Sequence, residues 1–481
     1  MENAGSMQFR SVTTQDFSAG ISNPAVLADV TVQPDGFKLA TENGGSRNLS
    51  FQQLQSLQAV SYCLLAEHDD GRRTIFSRLG HDYDPFVHQA FSAWNQYVLN
   101  ALFVDEDCLI EACGDYQYAA PAQSWGDLSE PGITEADDKG RTRTRLYDSS
   151  LVVLPQGAPV RRLPLCFINQ VQRSGYQLTI DLQQGTRLII RRLGHDMDAF
   201  DLNLRKALQR QTDRALTLLQ QILPDLNEED TPGSSWPSLT GEGLAEAAWL
   251  LREGRAAEPG WLEQRCPGLW PRLDRLLRRW SPDGYYAALA DLAGRSGYGI
   301  LPVLGLRREQ GTDSLAIPEM PLPDADNPDS ASSDTLLIPS FWLAAPLQSD
   351  DGQKTAVAIE TISRSALPQA TYLFARPPAL SAWADTWQDL NQALEAVDFR
   401  REAIYLSLEQ ISEPLPSRER DKAALLFCPS LRRLRGQYLG RVMHRGLGGW
   451  QSRIADLIDN QSEGDHRLIS SDQGASSDPT S

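Results

Sequence analysis

The chain has 481 residues, a formal net charge of −18 and 41% hydrophobic side chains. This length exceeds the usual size of one domain, so we expect about two to four domains, each with its own hydrophobic core. The acidic charge argues against nucleic acid or an anionic membrane as the main partner of the whole surface, because both bind positive charge. A local basic face remains compatible with that charge.

The N-terminal residues show no charged start followed by an apolar run, and no stretch reaches the length of a membrane span. The six cysteines are scattered, without a second pair or histidine partners at zinc spacing. We therefore predict a cytoplasmic protein with reduced thiols, no metal and no cofactor.

One segment of the chain occurs twice. RLGHDYDPF at residues 78–86 recurs as RLGHDMDAF at residues 192–200, an offset of 114 residues. At that offset the copies align without a gap over about residues 30–103 and 144–217. Each copy consists of hairpins with alternating apolar residues, followed by apolar residues at helical spacing. The sequence therefore predicts one fold built twice.

The repeated motif lies where the last strand of each copy meets the helix. An aspartate is predicted to cap the helix, a glycine to form the tight turn, and a histidine to bond the turn backbone. A metal or catalytic site is the alternative, but no third ligand lies at a recognisable spacing. The motif residues are Gly80, His81 and Asp84 in the first copy and Gly194, His195 and Asp198 in the second.

Antiparallel strands closed by one C-terminal amphipathic helix resemble the pleckstrin-homology-like (PH-like) superfold. The resemblance covers about 150 residues in total and rests on the order of elements rather than on a signature motif. It implies an α+β multidomain protein that begins with two tandem antiparallel β-barrels, each closed by a helix. In lipid-binding members of this superfold, basic residues around the first hairpin hold inositol phosphates.

The second copy is rich in arginine. Arg141, Arg143 and Arg145 alternate along a predicted strand and therefore share one face. By resemblance, this face is the candidate site for a phospholipid headgroup or another anionic ligand, or for an acidic protein partner. The alternatives are a solvated strand face and a dock for acidic segments of the same chain. The candidate residues are Arg141, Arg143, Arg145, Arg161, Arg162, Arg191 and Arg192.

The C-terminal half is predicted to contain a helical region, an α+β unit and a basic helical region. The basic region could dock onto the acidic body of the protein, bind an acidic partner or touch nucleic-acid phosphates. We do not expect nucleic acid, given the net charge. The residues of this second candidate surface are Arg432, Arg433, Arg435, Arg441 and Arg445.

Composition and periodicity divide the chain into nine predicted segments. They are residues 28–106 (first PH-like module), 107–140 (acidic connecting segment), 141–224 (second PH-like module), 225–240 (linker), 241–297 (helical region), 298–334 (connecting strand and acidic linker), 335–412 (α+β unit), 413–459 (basic helical region) and 460–481 (disordered tail).

No phosphate-binding loop, nucleophile elbow or zinc-protease motif is present in the sequence. An enzyme in the C-terminal half remains an alternative, because Glu360, Arg400 and His444 could line a cleft and catalytic groups need not be sequential. We expect a non-catalytic adaptor or scaffold that binds a protein partner through the two modules and the C-terminal helices. Peripheral binding of lipid or another anion by the second module is the other alternative.

Overall fold

The structure of the chain is a computed structural model. Its described residues belong to two compact units, one formed by Met1–Gln209, Ser381–Gln437 and Ser462–Ser481 and the other by Arg210–Leu380 and Tyr438–Gln461. The structure describes residues 7–18, 21–41, 44–68, 72–102, 107–119, 139–182, 186–227, 239, 241–252, 255, 257, 259–281, 283–295, 301–303, 306–308, 337–349, 352–363, 370–376, 404, 406, 410–411, 418, 421–422, 424–425 and 429–460.

The first module is an antiparallel sheet followed by helix α1 (Tyr83–Leu102). Its strand order is β5-β4-β3-β1-β8-β7-β6, with the short β2 beside β1. Side chains alternate between buried and more exposed along β7, as expected for a sheet with one covered face. The strands are β1 (Met7–Ser18), β2 (Ile21–Ser22), β3 (Val26–Gln33), β4 (Gly36–Thr41), β5 (Ser46–Ser50), β6 (Leu54–Val60), β7 (Cys63–His68) and β8 (Arg73–Ser77).

The second module repeats this arrangement and is followed by helix α2 (Met197–Asn227). Its seven strands are also antiparallel, in the order β12-β11-β10-β9-β15-β14-β13. Strands β6, β7 and β8 recur as β13, β14 and β15 at the offset of 114 residues. The strands are β9 (Ile110–Ala119), β10 (Lys139–Leu146), β11 (Ser150–Pro155), β12 (Arg161–Pro164), β13 (Ile168–Ser174), β14 (Gln177–Leu182) and β15 (Arg187–Arg191).

The sheets are not closed into barrels, so this part of the prediction was wrong. The hydrogen-bonded order ends at β5 and β6 in the first sheet and at β12 and β13 in the second. A 3-10 turn, Phe51–Gln53 or Leu165–Phe167, connects each pair of end strands. The turn carries the chain from one edge of the sheet to the other, and the end strands do not pair with each other.

Each sheet contains a central strand that lies before the predicted module. Strand β1 precedes residue 28, and β9 lies within the predicted connecting segment 107–140. Both strands pair on two sides, β1 with β3 and β8, and β9 with β10 and β15. The sequence repeat does not include these two strands. The connection from β1 to β3 is shorter than the connection from β9 to β10, so the offset of 114 residues does not relate β1 to β9.

The helices begin differently from the prediction. Helix α1 begins at Tyr83 and α2 at Met197, so Asp84 and Asp198 lie in the first helical turn instead of at the cap. A 3-10 turn precedes each helix. The residue before that turn, Leu79 or Leu193, makes no side-chain capping bond. The carboxylates still favour the positive end of the helix dipole.

Helix α1 also packs on the second module. The Asn95 amide nitrogen donates to the carbonyl oxygens of Pro155 and Ala158 at 3.3 and 3.1 Å, and its oxygen accepts from the Val160 N–H at 2.8 Å. Every residue of β11 is buried, whereas the equivalent β4 has exposed positions. The apolar cluster beside Asn95 consists of Leu99, Tyr147, Val152 and Leu154.

The second compact unit combines helices with an antiparallel sheet of order β16-β18-β19-β20-β21, with β17 beside β18. Its core includes the residues of α2 from Ala215 onward. The elements are α3 (Glu242–Leu250), α4 (Pro259–Arg265), α5 (Leu269–Trp280), α6 (Tyr285–Arg295), β16 (Leu301–Val303), β17 (Leu306–Arg308), β18 (Leu337–Gln348), β19 (Thr355–Ser363), β20 (Ala370–Arg376), β21 (Tyr438–Met443) and α8 (Leu447–Asp459).

Helix α7 (Pro429–Gly436) belongs to the first compact unit. The predicted acidic linker up to residue 334 lies, from residue 309 onward, outside the described residues. The same holds for Arg400 and for the predicted tail from residue 461.

Replacement of Asn95 by Ala tests the contact between the modules. We expect Asn95→Ala to lower the free energy of unfolding of the first unit by roughly 2–4 kcal/mol, because it leaves buried backbone groups without hydrogen bonds. Chemical denaturation followed by tryptophan fluorescence measures the change. Gln96→Ala, on the same helix, is the control and should change stability by less than about 0.5 kcal/mol. Equal losses in both variants would contradict the proposed role of Asn95.

Candidate functional site

The arginines of β10 lie on one face of the second sheet. Thr142 and Thr144 are buried, and the alternating Arg141, Arg143 and Arg145 point to the other, more exposed face. This face is the anionic-ligand site suggested by the sequence.

Strand β9 supplies carboxylates to the same face. In the register of the two strands, Asp115 lies opposite Arg141 and Glu111 lies opposite Arg145. Glu111 pairs with Arg143 at 3.8 Å and accepts a short hydrogen bond from Arg145. Burial lowers the pKa of the Arg145 guanidinium, but the bond to Glu111 and its charge outweigh burial and raise the pKa overall. Two of the three arginines therefore share one carboxylate within the sheet.

The other predicted arginines of the second module also have partners. Arg192 pairs with Asp115 at 3.0 Å, and Arg191 donates to the Gln177 side chain at 2.8 Å. The two arginines of β12 contact neutral groups: Arg161 lies over the Tyr118 ring at 4.8 Å, and Arg162 donates to the Ser149 hydroxyl at 3.2 Å. Among the seven candidates, Arg141 is the one that makes no ion pair, hydrogen bond or ring contact through its side chain with the described residues.

The arginines of the second predicted basic surface differ in their contacts and exposure. Arg432 donates to the Leu425 carbonyl at 3.2 Å and Arg435 to the Leu406 carbonyl at 2.7 Å. Burial lowers the pKa of Arg435. These two arginines therefore bind backbone within their own unit, while Arg441 and Arg445 are exposed. The Arg433 side chain lies outside the described residues.

The repeated motif does not hold a metal centre in the described part of the chain. His81 and His195 are both exposed, and the His195 Nε2 lies 3.2 Å from its neighbour Asp196. Among the described residues, no three His, Cys, Asp or Glu side chains are grouped as a metal site requires. Gly80 and Gly194 have left-handed φ values of 55° and 61°, which glycine adopts at low cost.

A buried polar cluster lies in the second compact unit. The Thr371 hydroxyl donates to Glu360 Oε2 at 2.5 Å, and the His444 Nε2 lies 3.3 Å from both the Thr371 hydroxyl and Glu360 Oε2. Glu360 is on β19, Thr371 is on β20, and His444 directly follows β21. The cluster therefore joins three neighbouring strands across their buried face.

Aromatic side chains surround this cluster. The Trp450 indole donates to the Thr371 hydroxyl at 2.8 Å, and the Tyr285 ring stacks on His444 at 3.9 Å with an angle of 7°. Tyr285 also accepts a hydrogen bond from the Gly446 N–H at 2.7 Å. Helices α6 and α8 thus fix the imidazole against the carboxylate.

The Thr371 hydroxyl is the centre of this network. It donates its one hydrogen to Glu360 and accepts from the Trp450 indole, and His444 Nε2 lies within hydrogen-bond distance of it. The second oxygen of Glu360, Oε1, is buried and accepts no hydrogen bond from the residues that the structure describes. Glu360 and His444 side chains are 1% and 9% exposed. The arrangement is therefore a buried polar network within the core of the unit.

The sequence indicated Glu360 and His444 but not their neighbours. Thr371 and Trp450 lie in ordinary apolar patterns, and their polar partners come from other elements. No local spacing could have connected Thr371 on β20 with Trp450 on α8.

No protein-family model matches this chain, and no curated protein matches it. Among solved structures, the Spt16D Pob3N heterodimer is similar with 10% identity and a TM-score of 0.16, over 37% of this chain and 84% of that chain. In the part of the chain that the structure describes, no helix is both long and apolar enough to cross a membrane.

A double-mutant cycle tests the buried pair. Glu360→Ala and His444→Ala should each lower the free energy of unfolding by about 3–5 kcal/mol, because each leaves a buried partner uncompensated. The double variant should lose less than the sum, with a coupling of about 1–3 kcal/mol. Thr361→Val is the control on the same strand. It removes a buried hydroxyl that has no hydrogen-bond partner among the described residues, so stability should stay equal or rise. Strictly additive losses would show that the two side chains do not interact.

Removal of Glu111 tests its pairing with Arg143 and Arg145. Glu111→Ala should release Arg143 and Arg145 and raise the salt concentration at which the protein elutes from heparin, while stability changes by less than about 1 kcal/mol. Asp181→Ala is the matched control, since it makes the same charge change beside the single Arg187. Equal elution shifts in the two variants would refute a special role for this face.

Proposed function

We propose that the chain is a non-catalytic adaptor or scaffold whose two tandem modules bind a protein partner. The observation that carries this proposal is the contact of helix α1 with the second module. It covers the outer face of β11, whose residues are all buried, and joins the two sheets. A fixed pair of sheets offers a partner one continuous platform, whereas loosely tethered modules would lose ordering entropy on binding.

We further propose that each module is PH-like. An antiparallel sheet with seven strands in its main order, followed by one helix with a buried apolar face, supports this assignment in both modules; the first sheet adds the short β2. On this basis the first module begins at β1 and the second at β9. A cytoplasmic location is part of the same proposal and rests on the scattered cysteines of the sequence.

Sheet edges are the surfaces through which the modules would bind. Strand β6 ends the first sheet and carries no charged residue, and its Val60 is 42% exposed. Proteins usually protect such edges with charged side chains or proline, and an unprotected edge accepts an additional strand from a partner. Strand β13 is the equivalent edge of the second sheet and contains Arg173. These features favour β6 over β13 as the site of strand addition.

Two other functions have specific support. The exposed Arg141 favours an anionic ligand on the second module, although Glu111 and Asp115 already neutralise much of that face. The contact between Glu360 and His444 favours an activity in the C-terminal unit, although both side chains lie in the core. A substrate must reach a catalytic group, and both side chains are buried. We therefore favour the scaffold function over an enzyme function.

Affinity capture with quantitative mass spectrometry tests the scaffold function. We expect the immobilised full chain to retain a partner in stoichiometric amount from a native lysate. Val60→Lys should abolish that binding if the partner adds a strand to β6, because a lysine on the edge opposes strand addition. Arg141→Glu should abolish it if the partner lies on the second sheet.

Ser174→Lys and Arg453→Glu are the controls for these variants. Ser174 is the residue equivalent to Val60 on β13, and Arg453 is an exposed arginine on α8. Loss of the partner in one test variant with both controls unaffected would support the proposal. Absence of any stoichiometric partner, together with vesicle binding or catalytic turnover, would contradict it.

A further inference from the structure

Both modules carry the same three exposed side chains at one end. Tyr62 and Tyr176 occupy the tip of the hairpin that enters β7 or β14, and they are 81% and 74% exposed. The arginine and histidine of the repeated motif lie in the turn before each helix, and both are exposed. We call these residues the tip clusters: Tyr62, Arg78 and His81 in the first module, and Tyr176, Arg192 and His195 in the second.

Burial does not explain these identities, although the Tyr62 ring contacts Tyr83 on helix α1 at 5.4 Å. Leu79 and Phe86 match Leu193 and Phe200 because all four side chains are buried. Gly80 matches Gly194 because the turn requires a left-handed residue. Many surface positions differ between the copies, yet the exposed tyrosine, arginine and histidine are the same.

Backbone conformation provides a second argument. Tyr62 and Arg78 have φ values of 60° and 58°, and Arg192 has a φ of 59°. Glycine adopts this region easily, whereas it is unfavourable for side chains of this size. The chain nevertheless keeps large, exposed side chains there, and strain of this kind is typical of functional positions.

The strands place the tyrosine and the arginine at the same end of each sheet. Gln177 at the start of β14 pairs with Arg191 at the end of β15, and Tyr176 and Arg192 are the residues directly outside this pair. In the first module Tyr62 directly precedes β7 and Arg78 directly follows β8, the strand that pairs with β7. Each tip therefore presents an exposed tyrosine and an exposed arginine, and both residue types are frequent where proteins bind other proteins.

The second module shows what the arginine of the tip binds. Arg192 holds the Asp115 carboxylate at 3.0 Å. Asp115 on β9 lies opposite Arg191, and the equivalent residue on β1, opposite Ser77, is Thr13. The first module thus lacks this carboxylate, and Arg78 makes no ion pair with the described residues.

We propose that the tip cluster of the first module binds an acidic segment of the protein partner, with a carboxylate on Arg78 and an adjacent side chain against Tyr62. The second module is the internally occupied copy of the same site. This inference rests on the proposed scaffold function, for which it names a site and the chemistry of the partner.

Local charge favours a peptide over an anionic membrane. Asp82 and Asp84 are exposed beside the cluster, and the whole chain carries −18. A membrane surface would present many negative charges to these aspartates, whereas a peptide can direct one carboxylate to Arg78. Arginine is also suited to a carboxylate, since its planar donors can bind both oxygens.

Selection from a random peptide library displayed on phage, with the full chain as target, tests the proposal. We expect the selected peptides to be enriched in Asp and Glu. In fluorescence anisotropy, Arg78→Gly should weaken binding of a selected peptide roughly 10- to 100-fold. The same variant should be as stable as the wild type or more stable, because glycine suits the left-handed φ. Lost binding therefore cannot be attributed to unfolding.

Two further variants make the test specific. Arg192→Gly makes the same change on the second module and should leave peptide affinity within about twofold, since Asp115 already occupies that arginine. Arg78→Glu should restore affinity for a peptide in which the acidic residue is replaced by Lys.

The outcomes separate this inference from the scaffold function. Selected peptides without acidic residues, or with unchanged affinity for Arg78→Gly, would overturn the Arg78 site and leave the scaffold standing. Failure to select any peptide, combined with no stoichiometric partner in affinity capture, would overturn both. Binding of wild type to phosphatidylserine vesicles that is lost in Arg78→Gly, without peptide binding, would overturn the peptide in favour of a lipid headgroup.

Discussion

The packing of helix α1 on strand β11 is the contact on which the organisation of the two modules depends. Asn95 satisfies two carbonyl groups and one N–H of the second module, and the apolar cluster beside it removes the outer face of β11 from solvent. An unsatisfied amide at this position would cost more than the hydrogen bonds gain. The modules are therefore held by matched polar geometry as well as by apolar area, which specifies one arrangement.

The two copies of the fold use their charges differently. In the second module the carboxylates of β9 lie opposite or beside arginines of β10 and β15, so much of its basic face is satisfied internally. In the first module Thr13 replaces the key aspartate, and the tip arginine has no equivalent partner among the described residues. The same surface therefore has its tip arginine paired with a carboxylate in the second module and lacks that carboxylate in the first.

The sequence predicted the duplicated strands and helices well, because hydrophobic periodicity and hairpin turns are local signals. It missed β1 and β9 as module strands, because their pairing depends on connections of unequal length. It placed Asp84 at the helix cap, whereas the 3-10 turn Gly80–Asp82 leads directly into α1 and Asp84 is the second residue of that helix. The alternation of arginines predicted that Arg141, Arg143 and Arg145 share one face. The pairing of Arg143 and Arg145 with Glu111 could not be predicted, because β9 was not recognised as a strand. Thr371 and Trp450 meet only in three dimensions.

The complete burial of β11 has a consequence for biosynthesis. A ribosome releases the first module, with helix α1 at its end, before the second module is complete, and domains generally fold in that order. The surface that must cover Val152 and Leu154 is then already formed when β11 appears. The cover is mutual, because Leu99 on α1 is buried in the same cluster and stays uncovered until the second module arrives. The first module therefore carries an exposed apolar side chain on α1 during synthesis, and completion of β11 removes it from solvent.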